Sequence, residues 1–158
     1  MTSVAIAVAD SVTYVGFLAG TAVIAVIDAR THLVPNKIIY PLFALGLAGL
    51  FCSAALGHTF PRFLFALAAG AGLGALFGVL WYVGGAGFGD VRLAALIGLY
   101  VGWFGWRPLY LGLFGAMIAA AAVVLVLFAL GRGSRKAEVA YGPYLIAGAW
   151  LGLLLAIG

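Results

Sequence analysis

Uncharged, mostly apolar runs divide this chain almost without remainder. Between its charged residues lie stretches of 17 (residues 11–27), 24 (38–61), 27 (63–89), 14 (93–106), 24 (108–131) and 20 (139–158) positions. A helix that crosses a bilayer needs roughly 17–25 apolar residues. The pattern predicts an all-α integral membrane protein, a polytopic bundle of six transmembrane helices with short loops, forming a single domain over residues 1–158. The fourth run reaches only about 21 Å at ~1.5 Å per residue, against a hydrocarbon core of about 30 Å. Its helix is expected to borrow residues from its N-terminal end, which holds Asp90 and Arg92. The first run is also short and ends at Asp28, so both aspartates are drawn to the edge of the apolar layer.

Composition supplies the solvent. Only 8% of the residues are charged, whereas 66% are hydrophobic. Soluble domains carry roughly 25% charged residues, so a lipid bilayer is the medium this chain can face. The net charge of +4 is spread along the chain. It lacks the clustered basic face of a nucleic-acid binder, and no nucleic-acid partner is expected. The lone Cys52 cannot form an intramolecular disulfide or a Cys-rich zinc site, and it is expected to be buried. The first charge is Asp10, with no basic segment before it. Residues 1–27 are therefore read as a retained helix rather than a cleaved signal peptide.

Six of the eight basic residues fall in the odd-numbered loops: Arg30 and Lys37, then Arg92, then Arg132, Arg135 and Lys136. The positive-inside rule puts those loops in the cytoplasm and both termini outside. Asp28 closes the first run and Asp90 opens the fourth, so the same count puts both on the cytoplasmic side. Gly70, Gly74 and Gly78 share one face of the third helix, where a neighbouring helix is expected to pack closely. Trp81, Trp103, Trp106 and Trp150 lie near predicted helix ends and are read as interfacial anchors.

Few residues are equipped for chemistry. The acids are Asp10, Asp28, Asp90 and Glu138, and the histidines are His32 and His58. There is no His-Glu-x-x-His pattern for zinc, so no metal or other cofactor is expected. Ser53 lies near His58 but has no Gly-x-Ser-x-Gly elbow. Asp10 and Glu138 are expected at the surface, and His32 in a solvated loop. Two carboxylates remain as candidates, and a pair of aspartates suffices for peptide hydrolysis. Sharing a site, they cannot both ionise easily, so one can take a proton from water while the other polarises a carbonyl. Asp28 is followed by a polar loop in which Pro35 blocks the helix, which is expected to stop near Asp28. Asp90 is preceded by Gly87-Phe88-Gly89, whose glycines allow close backbone approach.

Three stretches carry a family resemblance. They are Ile27-Asp28 with Leu33-Val34-Pro35-Asn36-Lys37, then Gly87-Phe88-Gly89-Asp90-Val91-Arg92-Leu93, then Tyr141-Gly142-Pro143-Tyr144-Leu145. In matching order, from about residue 20 to about residue 150, they resemble the type IV prepilin peptidases, a family that includes archaeal preflagellin peptidases. The second stretch has the family's Gly-x-Gly-Asp motif, and the third is similar to its Phe-Gly-Pro-Phe stretch. The resemblance implies a cytoplasmic (inner) membrane aspartic endopeptidase that removes the basic leader from prepilins or prepilin-like proteins. It implies Asp28 and Asp90 as the catalytic pair. Pro35, Asn36, Lys37, Gly87, Gly89, Arg92, Tyr141, Gly142 and Pro143 become substrate-binding or motif-supporting residues. Arg92 stands where the family usually has lysine, with the charge kept. Many bacterial members add a cysteine-containing N-terminal segment and methylate the new N-terminus. This sequence starts directly at its first helix and resembles a short, peptidase-only form. Two rivals stay open: a small proton-coupled transporter using the aspartates as a relay, and a non-catalytic membrane subunit of a pilus or secretion machine.

Overall fold

The computed structural model describes residues 2–84, 86–129 and 142–157. Over these the chain forms six helices: α1 (Thr2–Thr31), α2 (Asn36–Gly57), α3 (Phe60–Tyr82), α4 (Phe88–Gly102), α5 (Trp106–Ala129) and α6 (Gly142–Ile157). Four helical stretches are long and apolar enough to cross a membrane: α1, α2, α3 and Trp106–Val123 of α5. The 15 residues of α4 and 16 of α6 fall short of that length. Exposed Val, Leu, Ile and Phe side chains cover the outside of the bundle, including Leu64, Ile118 and Leu154. Apolar surface on this scale suits lipid and would be a liability in water.

Consecutive helices pair as hairpins, α1 with α2, α3 with α4 and α5 with α6. The short helix α4 is the hub, touching α2, α3, α5 and α6, while α6 also lies against α1. Almost every residue of α4 from Leu93 to Gly102 is buried. As expected, α4 extends N-terminally across Arg92 and Asp90, beginning at Phe88.

Lipid tails are as apolar as leucine, so helix association here depends on close packing and polar contacts. Glycine supplies the close packing. A methyl group on Gly98 of α4 would meet the Gly70 Cα of α3 at 2.7 Å, and one on Gly70 would meet the Ala95 carbonyl at 2.9 Å. On α6, a methyl group on Gly148 would lie 2.7 Å from the Ala116 Cβ of α5. Of the three α3 glycines expected on one packing face, Gly70 and Gly74 meet α4, while Gly78 faces open space. Polar contacts add to this at Tyr100. Its hydroxyl donates to the Leu42 carbonyl at 2.7 Å, its ring stacks on Phe17 at 4.2 Å, and its own carbonyl accepts from the Tyr14 hydroxyl at 2.9 Å. One side chain thus joins α1, α2 and α4. Gly98→Val is expected to wedge α3 from α4 and cost about 1–3 kcal/mol. Gly72→Ala, with nothing within 4 Å of the added methyl, is expected to be neutral or mildly stabilising. Thermal midpoints of the two variants in lipid nanodiscs check the contrast.

Several expectations need correction. The first helix spans 30 residues and does not stop at Asp28. A proline ring clashes with the carbonyl four residues before it, so Pro35 ends the helix at Thr31, one turn later than expected. Asp10 does not lie free at the surface. It is half-buried within α1 and accepts a 2.6 Å hydrogen bond from Ser53 Oγ on α2. Cys52 is exposed rather than buried, on the lipid-facing side of α2. Trp103 is buried, and Trp150 donates to Thr21 Oγ1 at 3.1 Å, so neither acts only as an interfacial anchor.

Candidate active site

The site is assembled where three segments end or begin at one end of the bundle: the last turn of α1, the first turn of α4 and the first turn of α6. Asp28 is inward-facing on the stripe of buried α1 residues that includes Phe17, Thr21 and Ile24. Only 3% of its surface is exposed. Its Oδ2 has no hydrogen-bond partner among the described residues. Such an atom is costly to bury and is held there by the packing around it.

Asp90 occupies the third position of α4 and is 8% exposed. Its Oδ2 accepts from the Gly87 backbone N–H at 3.1 Å, and the Gly87 carbonyl accepts from the Asp90 N–H at 3.1 Å. The carboxylate thereby caps its own helix, beside the free N–H groups of the first turn. A side chain on Gly87 would come within 3.4 Å of that carboxylate. The two aspartates are at the same end of the bundle: a methyl on Gly142 would touch both the Asp28 carboxylate and, at 3.4 Å, Leu93, about one turn after Asp90 on α4.

The motif residues converge on this end. Pro35 precedes α2 in extended backbone, φ −73° and ψ 120°, and its carbonyl accepts from Ile38 and Ile39. Asn36 Oδ1 accepts a hydrogen bond from the Arg92 guanidinium, which also stacks over the Phe88 ring at 4.5 Å. Phe88 in turn meets Trp81, with ring centroids 5.3 Å apart. This chain of contacts ties the loop after Asp28 to the turn that holds Asp90. Gly89 adds a second tie, since a methyl there would run into the Val34 side chain at 2.9 Å. Lys37 is exposed and Pro143 half-buried. Tyr141 lies outside the described residues.

Gly142 opens α6 directly against Asp28. A methyl on Gly142 would collide with the Asp28 carboxylate, reaching its Cγ at 2.9 Å, and would lie 3.4 Å from Leu93 Cδ2. Spacing along the chain gave no hint of this contact, because more than a hundred residues separate its partners. Only the third motif pointed to the stretch. Phe88 and Trp81 also had no chemical role in the sequence reading, yet both support Arg92. Such a site can hold two buried carboxylates near each other at a helix start, walled by backbone where glycine leaves room.

Comparison with known proteins gives a consistent result. A family model described as the type IV leader peptidase family matches residues 15–125. The prepilin leader peptidase/N-methyltransferase of Pseudomonas aeruginosa is 30% identical over 148 residues, covering 85% of this chain and 46% of that protein. The protein of the same name from Burkholderia pseudomallei is 32% identical over 145 residues, 84% of this chain and 43% of its own length. That of Escherichia coli K12 is 33% identical over 136 residues, 82% of this chain and 57% of its own. The chain spans about half the length of these curated relatives. No solved structure matches it.

Proposed function

The chain belongs to the type IV leader peptidase family, and from that membership we propose that it is a membrane-embedded aspartic endopeptidase that removes leader peptides from prepilins or prepilin-like proteins. The observation that carries this reading is the placement of Asp28 and Asp90, both buried, at one end of the bundle on either side of the start of α6. One ionised carboxylate takes a proton from water, which attacks the scissile carbonyl. The other, protonated, donates to the carbonyl oxygen, and the pair titrates as a unit. The Gly87 N–H pins one Asp90 oxygen, which fixes the direction in which the other points. The exposed backbone at Gly87 leaves room for an extended substrate beside Asp90, while Gly142 packs directly on Asp28 and holds it in place. The excess of basic residues in the odd loops supports a cytoplasmic-side site. The apolar helix of the substrate would then lie among the enzyme helices, with its basic leader near the loops.

A cleavage assay in membranes tests this. A tagged type IV pilin precursor is co-expressed with the wild-type chain or with the Asp28→Ala, Asp90→Ala double variant, and the product is weighed by mass spectrometry. Loss of the leader mass with wild type alone is the expected result. Precursor left intact by the wild-type chain, across several pilins, would overturn the proposal.

A further inference from the structure

The end of the bundle away from the two aspartates has its own polar feature, which the peptidase chemistry does not use. Asp10 and Asp28 sit on the same helix, 18 residues apart, and at ~1.5 Å per residue are separated by about 27 Å. That is close to the ~30 Å thickness of a hydrocarbon core. With Asp28 near one boundary, Asp10 is near the other. There an open recess of about 480 Å³ is lined by Asp10 of α1, by Arg62 and Phe65 of α3, and by Trp103 and Phe104 after α4. Asp10 Oδ1 is held by Ser53 Oγ rather than by Arg62. Its other oxygen has no hydrogen bond among the described residues, and Arg62 is exposed. The recess therefore carries one anion and one cation that are not joined to each other. The wall beside them is aromatic and apolar, with Phe65 and Phe104 both exposed and Phe104 packed on Tyr14 at 5.2 Å between ring centroids.

We propose that this recess binds the headgroup of a phospholipid carrying a primary ammonium. Its phosphate would pair with Arg62 and its ammonium with Asp10, while its acyl chains run down the exposed apolar flank of α3. Arginine suits a phosphate at an interface because its planar fork donates in pairs. An ammonium with N–H donors suits the free Asp10 oxygen, whereas a quaternary ammonium has none to give. Ser53 fixes the carboxylate and spares the lipid the cost of orienting it. The proposal requires only the membrane-spanning bundle and is independent of the peptidase reading.

Native mass spectrometry of the full chain, released from nanodiscs, tests it. The probes are phosphatidylethanolamine, phosphatidylcholine and phosphatidylglycerol with identical acyl chains, in equal amounts. The wild-type chain is expected to retain phosphatidylethanolamine over both others by roughly fivefold, the scale of one partly exposed charge pair. Asp10→Asn should bring the ratio to about one, and Arg62→Gln should lower retention of all three. Equal retention by the wild-type chain overturns the proposal even if neither variant folds, and so does a preference that survives in Asp10→Asn. Soluble phosphoethanolamine, added as competitor at the same concentration, should not displace the lipid. Full displacement would identify a free-phosphate site and likewise overturn the lipid assignment.

Discussion

Asparagine in place of either Asp28 or Asp90 is expected to slow leader cleavage by about a thousandfold or more, equivalent to ~4 kcal/mol of lost transition-state stabilisation. Asparagine keeps the shape of aspartate but neither ionises nor shares a proton, so the one remaining aspartate cannot serve as base and acid in the same step. The same substitutions should be gentle on the fold. Asp28 is 3% exposed, and its Oδ2 has no partner among the described residues. A neutral amide there removes a buried charge, and the thermal midpoint of Asp28→Asn should equal or exceed that of the wild type. This combination, activity lost and stability kept, is what separates a catalytic acid from a structural one. Single-turnover cleavage of a purified precursor and thermal unfolding in the same detergent measure both quantities. An inserted Asp28→Asn or Asp90→Asn protein that cleaves within about tenfold of the wild type would sink the dyad.

The second large effect is expected at Gly142. Alanine is the smallest possible change and a better helix former, so an exposed glycine at this place would accept it with a gain in stability. Here the new methyl meets the Asp28 carboxylate, with Cγ at 2.9 Å. The carboxylate must turn or α6 must back away, and the Leu93 side chain at 3.4 Å narrows the second route. Displacing a catalytic group by about 1 Å can cost on the order of a hundredfold in rate. Gly142→Ala should therefore lower the cleavage rate about that much, with precursor binding in a pull-down largely retained. Gly152→Ala on the same helix is a fitting control. It crowds the Pro108 carbonyl and should cost stability without reaching the carboxylates. Equal cleavage by Gly142→Ala and wild type would mean that α6 does not buttress Asp28.

The contrast between these two sites shows what the sequence could convey. The six apolar runs corresponded to six helices, because an uncharged run of about 20 residues has few other uses. The runs failed where charge was taken as a boundary. A charge suggests a surface position for Asp10, but Ser53 on the neighbouring helix satisfies it within the bundle, and a long-range partner of that kind leaves no mark on local sequence. Cys52 was expected inside because buried cysteine is the rule in water-soluble cores, whereas lipid makes the outer face equally apolar. The aspartates stood out by scarcity and by their motifs. The contacts that organise them did not: Arg92 with Asn36, Gly89 with Val34 and Gly142 with Asp28 all join segments distant in sequence. Trp150 shows the same limit, with its partner Thr21 on a helix 129 positions away.

The brevity of α4 sets a depth. Its 15 residues rise about 22 Å, some 8 Å less than the usual hydrocarbon thickness. Either the bilayer thins around the bundle or part of the helix start lies below the lipid boundary. Asp90 is in that first turn, so under the proposed function a peptide bond delivered to it would descend by up to the same distance. An extended chain covers about 3.3–3.6 Å per residue, and two or three residues span the gap. A precursor whose transmembrane helix stayed wound up to its leader would arrive with its amides already bonded to one another. If the proposed peptidase activity holds, the helix hub would select for a substrate that unravels by less than one turn just where it is cut.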